Sequence, residues 1–112
     1  KVLNMRKFYL RGRDLNVCLG TKEVRYWLYE MGYAKVVEET RQREQTMELD
    51  KNGLKKLVEF YKMCDEDHKR GVHVFGGDNS NIPYLELAEI VEQVIKKARD
   101  SELFEIYYVL GG

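Results

Sequence analysis

The segment Thr21–Gly32, TKEVRYWLYEMG, constrains the fold more than any other, because its pattern predicts a helix with two different faces. Spacings of three and four residues gather apolar side chains on one face: Val24, Trp27, Leu28 and Met31. The same spacings gather basic and aromatic side chains on the other: Lys22, Arg25, Tyr26 and Tyr29. The Thr21 hydroxyl can cap the first turn, and Gly32 can end the helix in the left-handed conformation. We therefore expect the inner face in a core, and the outer face as either a DNA recognition surface or an ordinary solvated face.

The charges argue against a uniformly basic nucleic-acid binder. The 112-residue chain carries 19 Lys and Arg and 19 Asp and Glu, so its formal net charge is zero. Residues 1–46 carry ten basic and six acidic side chains, whereas residues 47–112 carry nine and thirteen. This asymmetry predicts a polyanion-facing first half and a second half with another role, although local imbalances of this size are common in small domains.

The cysteines and the hydropathy pattern indicate a location. Cys18 and Cys64 are far apart and form no disulfide framework, so we expect reduced thiols and a cytoplasmic protein. No apolar run approaches membrane-spanning length and no signal peptide is apparent, so no membrane partner is expected.

The first half contains two further β-prone regions. Val2–Leu10 predicts a strand, or leads into a first helix near Arg13–Leu19, where the apolar residues fit both periods. Val36–Val37 and Thr46–Leu49 flank a polar tip, residues 38–45, which predicts a hairpin or wing.

The second half alternates helix and strand signals. Asp50–Asn52 can start a helix that runs to about Asp67, with an apolar stripe at Leu54, Leu57, Val58 and Tyr61. Val72–Gly77 predicts a buried strand, and Pro83 suits the start of a helix that ends near Ala98. Leu103–Leu110 predicts a last strand. A right-handed parallel crossover through the preceding helix could join it to the strand at Val72–Gly77, or it could pair with other strands in an antiparallel arrangement.

Part of the chain resembles a known class of DNA-binding domain. The segment VRYWLYEMGYA resembles the recognition-helix region of MerR-type and excisionase-type winged helices, and TMELDKNGLKKLVEF is similar to the segment where their wing returns. Winged-helix domains of phage antirepressors look alike at this level, although the turn from Gly20 to Val24 is shorter than is usual in the family. The resemblance covers about the first 60 residues.

The resemblance implies a fold and a contact surface. The fold class is α+β, with a winged-helix-like part over residues 1–67 and a strand–helix–strand part over residues 68–112 that packs on it or mediates association; the two could equally form one domain. Lys22, Arg25, Tyr26 and Tyr29 would face DNA bases and phosphates. Arg41 and Arg43, at the wing tip, would reach phosphate or the minor groove.

Two other groups of residues offer weaker hypotheses. VHVFGGDNSNIP places a Gly pair, Gly76–Gly77, before a helix start, which can bind an anion but more often forms a simple turn. Cys64, His68 and His73 include an i, i+4 pair that can suit zinc, but no fourth ligand is evident. No nucleophile, base and acid occur together, so we predict no catalytic residues, no metal, no cofactor and no enzyme.

The leading functional hypothesis is a small DNA-binding transcription regulator of bacterial or phage type. The alternative is a non-enzymatic protein-binding inhibitor or adaptor, of the phage accessory or anti-defence type, that uses the same aromatic and basic face. Arg and Tyr are also typical anchors of protein interfaces, so these residues do not separate double-stranded DNA from a host protein as the partner. The acidic second half, with the exposed aromatics of IYYVL near a sheet edge, further suggests a protein partner or a homodimer formed through the C-terminal part.

Overall fold

The computed structural model describes residues 5–41, 44–71 and 82–111. Within these ranges the chain forms a mixed α+β fold, with five strands and three helices. In chain order they are β1 (Met5–Arg11), β2 (Asn16–Gly20), α1 (Arg25–Glu30), β3 (Lys35–Glu39), β4 (Gln45–Leu49), α2 (Lys51–Lys69), α3 (Tyr84–Lys97) and β5 (Phe104–Gly111).

The strands form one antiparallel sheet in the order β2-β1-β5-β4-β3. The last strand of the chain lies at its centre, where Ile106 pairs with Leu10 of β1 and also with Met47 of β4. Side chains alternate along each strand, so one face gathers Phe8, Leu10, Phe104 and Ile106 into the core. The other face carries polar and aromatic residues.

The two long helices, α2 and α3, pack together over the apolar face of the sheet. The Asp50 carboxylate caps α2 by accepting the Gly53 N–H at 3.1 Å. Gly53 is required for packing, because a Cβ there would lie 2.7 Å from the Leu49 Cβ and 2.9 Å from the Tyr33 carbonyl oxygen. The indole of Trp27 meets the Phe60 ring at 4.8 Å, which joins α1 to the same core.

The helix expected near Arg13–Leu19 is wrong, because residues 16–20 form β2. The Gly12 N–H donates to the Leu15 carbonyl at 3.0 Å, and this tight turn sends β2 back along β1. The alternation of Leu15, Val17 and Leu19 is thus a strand period. A winged-helix arrangement is not confirmed, since the sheet dominates and a strand occupies the position of the first helix.

The helix expected over Thr21–Gly32 is shorter than its pattern suggests. It covers Arg25–Glu30, and its N-cap position is Val24, so the Thr21 hydroxyl does not cap it. Gly32 does end it in the left-handed region, with φ of +80°. There the Gly32 and Tyr33 N–H groups donate to the Tyr29 and Leu28 carbonyls, the hydrogen bonds of a Schellman motif.

The remaining predicted elements have mixed outcomes. The hairpin around residues 38–45 is confirmed as β3 and β4, and the long helix from Asp50 is confirmed as α2. IYYVL belongs to β5, which pairs with β1 along residues 105–111 but with β4 through Phe104–Ile106 alone, so the expectation that these residues lie near an edge is not contradicted. The strand expected at Val72–Gly77 lies outside the described residues. The division between residues 67 and 68 falls inside α2.

None of the helices in the described ranges combines enough length with enough apolar residues to cross a bilayer.

Candidate functional site

The structure divides the predicted contact residues into a buried pair and an exposed pair. Lys22 and Arg25 are only 4% and 7% exposed, so the expectation that they lie on the outer face is wrong. Tyr26 and Tyr29 are exposed as expected, at 64% and 48%. Arg41 is exposed at the hairpin tip, and Arg43 lies outside the described residues.

Arg25 is buried because its guanidinium joins α1 to the sheet. It forms an ion pair with Glu23, whose Oε2 lies 2.8 Å from the Arg25 Nη2, and it donates to the Gln45 carbonyl at the start of β4. The guanidinium also lies over the rings of Phe8 and Tyr108, at 5.1 and 4.8 Å from their centroids. The Arg25 guanidinium thus has its N–H donors paired and its faces against aromatic rings, so it anchors α1 to the sheet. A side chain held in this way cannot reach into a DNA groove.

Lys22 belongs to an interior polar cluster with Tyr61, Cys64 and Tyr84. Burial lowers the pKa of the Lys22 ammonium, and burial raises the pKa of the Cys64 thiol, which the Lys22 charge partly opposes. Burial also raises the pKa of Tyr61, and that of Tyr84 to about 12. A thiol with a raised pKa stays protonated, so Cys64 has the character of a core residue rather than that of a nucleophile.

The Tyr61 hydroxyl is a buried polar group of this cluster. Its oxygen is fully buried, and it has no hydrogen-bond partner among the residues that the structure describes. Sequence reasoning assigned Tyr61 to the core correctly, but an apolar stripe does not reveal whether a hydroxyl finds a partner.

Five large apolar side chains are exposed in the segment that runs from α1 into β3. They are Tyr26, Tyr29, Met31, Val36 and Val37, of which the last three are 53%, 38% and 41% exposed, and we call them the α1–β3 surface. The two elements lie at the same end of the sheet, because the carbonyl that Arg25 binds belongs to Gln45, which pairs with Glu39 of β3.

Sequence reasoning found only the two tyrosines of this surface. Met31 has a helical spacing that placed it on the inner face, but the helix ends at Glu30 and leaves it exposed. Val36 and Val37 stand in an edge strand whose five residues are all exposed. The pairing of β3 with β4 shifts register between Val36 and Glu38, so strict alternation of the two sheet faces does not hold at Val37, and the residue pattern did not mark these valines as exposed.

Charged side chains of both signs border the α1–β3 surface. Lys35 of β3 lies 3.5 Å from a Glu48 oxygen, and the Gln45 amide donates to Glu39 at 3.0 Å. Glu38 and Glu44 lie near Arg41 at the hairpin tip, so the rim has no single sign. A strongly positive field, the usual footprint of DNA binding, is absent from the described part of this surface.

The open face of the sheet carries a polar and aromatic network. The rings of Tyr9 and Tyr107 stack at 5.6 Å, and the Arg11 guanidinium lies 4.4 Å from the Tyr107 centroid. Arg11 also forms an ion pair of 2.6 Å with Glu105, and this hydrogen bond raises the Arg11 pKa. The Asn16 amide donates to the Tyr107 hydroxyl at 2.8 Å. These groups satisfy one another, and because their partners are distant in sequence the residue pattern alone did not indicate them.

The hypotheses of a zinc site and of an anion site depend on residues that the structure does not describe. These residues are His73 and the Gly76–Gly77 loop. Within the described ranges, no group of three or more His, Cys, Asp or Glu side chains is placed to hold a metal ion.

Known proteins add no further constraint on the site. No protein-family model, no curated protein and no solved structure matches the chain.

Proposed function

We propose that this chain is a non-enzymatic protein-binding module, an adaptor or inhibitor, that holds its partner on the α1–β3 surface. The observation that carries the proposal is the concentration of exposed apolar side chains in one short stretch of the chain. Among the described residues, eleven large apolar side chains are exposed, and five of them fall within residues 26–37. Contiguous exposed apolar area is characteristic of interaction sites, whereas isolated exposed residues need no explanation.

The composition of the surface also favours a protein partner. Tyrosine and methionine are enriched in the cores of protein interfaces, and a rim of mixed charge is typical around them. Tyr26 and Tyr29 have the i, i+3 spacing that lets two rings of a helix contact one partner.

DNA binding by the same helix stays a prediction, and the geometry favours it less. Lys22 and Arg25 were the cations expected to contact the bases and phosphates, and both side chains are buried. Arg41 is then the predicted contact cation that remains exposed within the described residues.

Affinity purification followed by binding measurements tests the proposal. The chain and the Tyr26→Ala/Tyr29→Ala variant are used as baits, with Leu85→Ala/Ile90→Ala as the matched control, because Leu85 and Ile90 are 50% and 37% exposed on α3, outside the surface. We expect a partner that the control retains and the tyrosine variant loses. With that partner purified, the tyrosine variant should bind about 30-fold more weakly, as for a typical hot spot.

Gel shifts on random duplex DNA supply the contrary outcome. A complex that weakens steeply with salt and is reduced by Arg41→Ala, with no protein partner that depends on Tyr26 and Tyr29, would replace the proposal with DNA binding.

A further inference from the structure

A groove lies beside the β1–β2 turn, at the end of the molecule where α3 ends. We call it the α3 groove; it encloses about 590 Å³ between the β1–β2 turn, the C-terminal half of α3 and the link to β5. Its floor is apolar and is formed by Leu15, Val17, Ile90, Val94 and Phe104. This volume is within the range of small-molecule pockets, about 300 to 1,000 Å³, and an apolar floor is typical of them.

Three cations stand on the rim of the α3 groove: Arg13, Lys97 and Arg99. None of their side chains forms an ion pair with any residue in the described ranges, whereas Arg11 and Lys51 are paired with carboxylates. The rim also contains Asp14 and Glu102, and Glu102 accepts the Arg99 backbone N–H at 3.1 Å. The groove therefore combines an apolar floor with a net rim charge of one positive.

Helix electrostatics explain only part of this arrangement. A lysine in the last turn of a helix is stabilised by the negative end of the helix dipole, which accounts for Lys97 as well as for Lys96. Arg13 comes from the β1–β2 turn and Arg99 from the link after α3, so neither belongs to that turn. Two separate stretches of the chain, the β1–β2 turn and the end of α3 with the link that follows it, thus contribute cations to the lining of one cavity.

We propose that the α3 groove binds a fatty carboxylate, a single-headed amphiphile with one negative charge. Its hydrocarbon chain would lie on the floor, where each buried methylene is favourable by about 0.8 kcal/mol. Its carboxylate would pair with the rim cations, for which the planar fork of arginine is well suited. The single charge of the ligand matches the net charge of the rim. This site is separate from the α1–β3 surface, so it stands whether or not the protein-binding proposal holds.

Titration of the full chain with dodecanoate below its micelle concentration tests the inference. Calorimetry gives the affinity, and 15N-resolved NMR spectra locate the site. Dodecyl maltoside and dodecyltrimethylammonium have the same chain with an uncharged and a cationic head, so they serve as ligand controls. We expect dodecanoate to bind more tightly than both, with shift changes concentrated at the groove residues.

Variants separate the groove from general adsorption. Arg13→Ala/Lys97→Ala should weaken dodecanoate binding about fivefold, because two exposed ion pairs are lost. Lys7→Ala/Lys96→Ala removes two charges outside the groove and should leave the affinity unchanged. Ile90→Trp should abolish binding by filling the cavity; Ile90 is 37% exposed, so it tolerates a larger ring.

The inference is overturned if dodecanoate binds no better than the maltoside, or if both charge variants weaken it equally. It is also overturned if the shift changes lie elsewhere on the molecule.

Discussion

At the scale of single residues, the Tyr61 hydroxyl is the least favourable group in the core. It is buried without a partner among the described residues, whereas the ring packs against Phe60 and Tyr84 at 6.1 and 6.3 Å. The ring therefore stabilises the fold while the hydroxyl opposes it, because a buried polar group loses its hydration.

We predict that Tyr61→Phe raises the free energy of unfolding by about 1 kcal/mol, since the ring is kept and an unsatisfied hydroxyl is removed. Urea unfolding followed by circular dichroism measures this change. Tyr26→Phe removes an exposed hydroxyl and should leave stability unchanged. A loss of stability in Tyr61→Phe would mean that the hydroxyl is satisfied.

The same cluster predicts alkaline sensitivity. Burial raises the pKa of Tyr61, and that of Tyr84 to about 12, above the usual value of 10.0. The unfolded chain therefore releases these protons at a lower pH than the folded chain. Ionisation of the two tyrosines leaves the free energy of unfolding unchanged below pH 10 and lowers it as the pH rises through about 12. Unfolding curves from pH 8 to 12 should show this fall, and it should be smaller in Tyr61→Phe.

At the scale of elements, α1 depends on the side chain of Arg25. The helix has only six residues, and its N-cap residue Val24 makes no side-chain hydrogen bond, so it is too short to be stable by itself. Val24 and Leu28 attach it to the core, and Arg25 attaches it to β4 and to the rings of Phe8 and Tyr108.

Arg25→Ala is accordingly predicted to lower the free energy of unfolding by about 2 kcal/mol, the usual loss for a charged group with several hydrogen bonds. Tyr26→Ala, one residue away, should change it by less than about 0.5 kcal/mol. Thermal and urea unfolding of the two variants make the comparison. Equal and negligible effects would indicate an outward-facing Arg25, as a recognition helix requires.

At the scale of the whole molecule, the central position of β5 links the two ends of the chain. β1 and β4 have β5 as their common neighbour, and α3 covers one side of α2. A fragment of residues 1–67 would lack both β5 and α3, so the core residues of β1, β4 and α2 would be exposed.

We predict that residues 1–67 do not fold by themselves. Their NMR spectrum should show poor dispersion, and the full chain under the same conditions should show the dispersion of a folded protein. Addition of a peptide covering residues 68–112 should restore structure if the two pieces share one core. A well-dispersed spectrum from the fragment would instead support two separate parts.

Local patterns were sufficient for the elements that local interactions determine. The length of α2, its Asp50 cap, the apolar faces of α2 and α3, the hairpin and the left-handed Gly32 follow from periodicity and capping within a few residues. The same reasoning failed for β2, because Leu15, Val17 and Leu19 are compatible with both periods, and only pairing with β1 selects the strand. It also failed for Met31, which is 53% exposed at the C-cap of α1.

The candidate site depended more strongly on tertiary structure. The helical period was enough to place Tyr26 and Tyr29 on a different face from Val24 and Leu28. Only the tertiary structure decided that Lys22 and Arg25 are buried, since the sheet supplies partners that are distant in sequence. A long cationic side chain can bury its stem on apolar surface where its charge finds hydrogen-bond acceptors. The position of the residue in a helix does not show whether such acceptors are present.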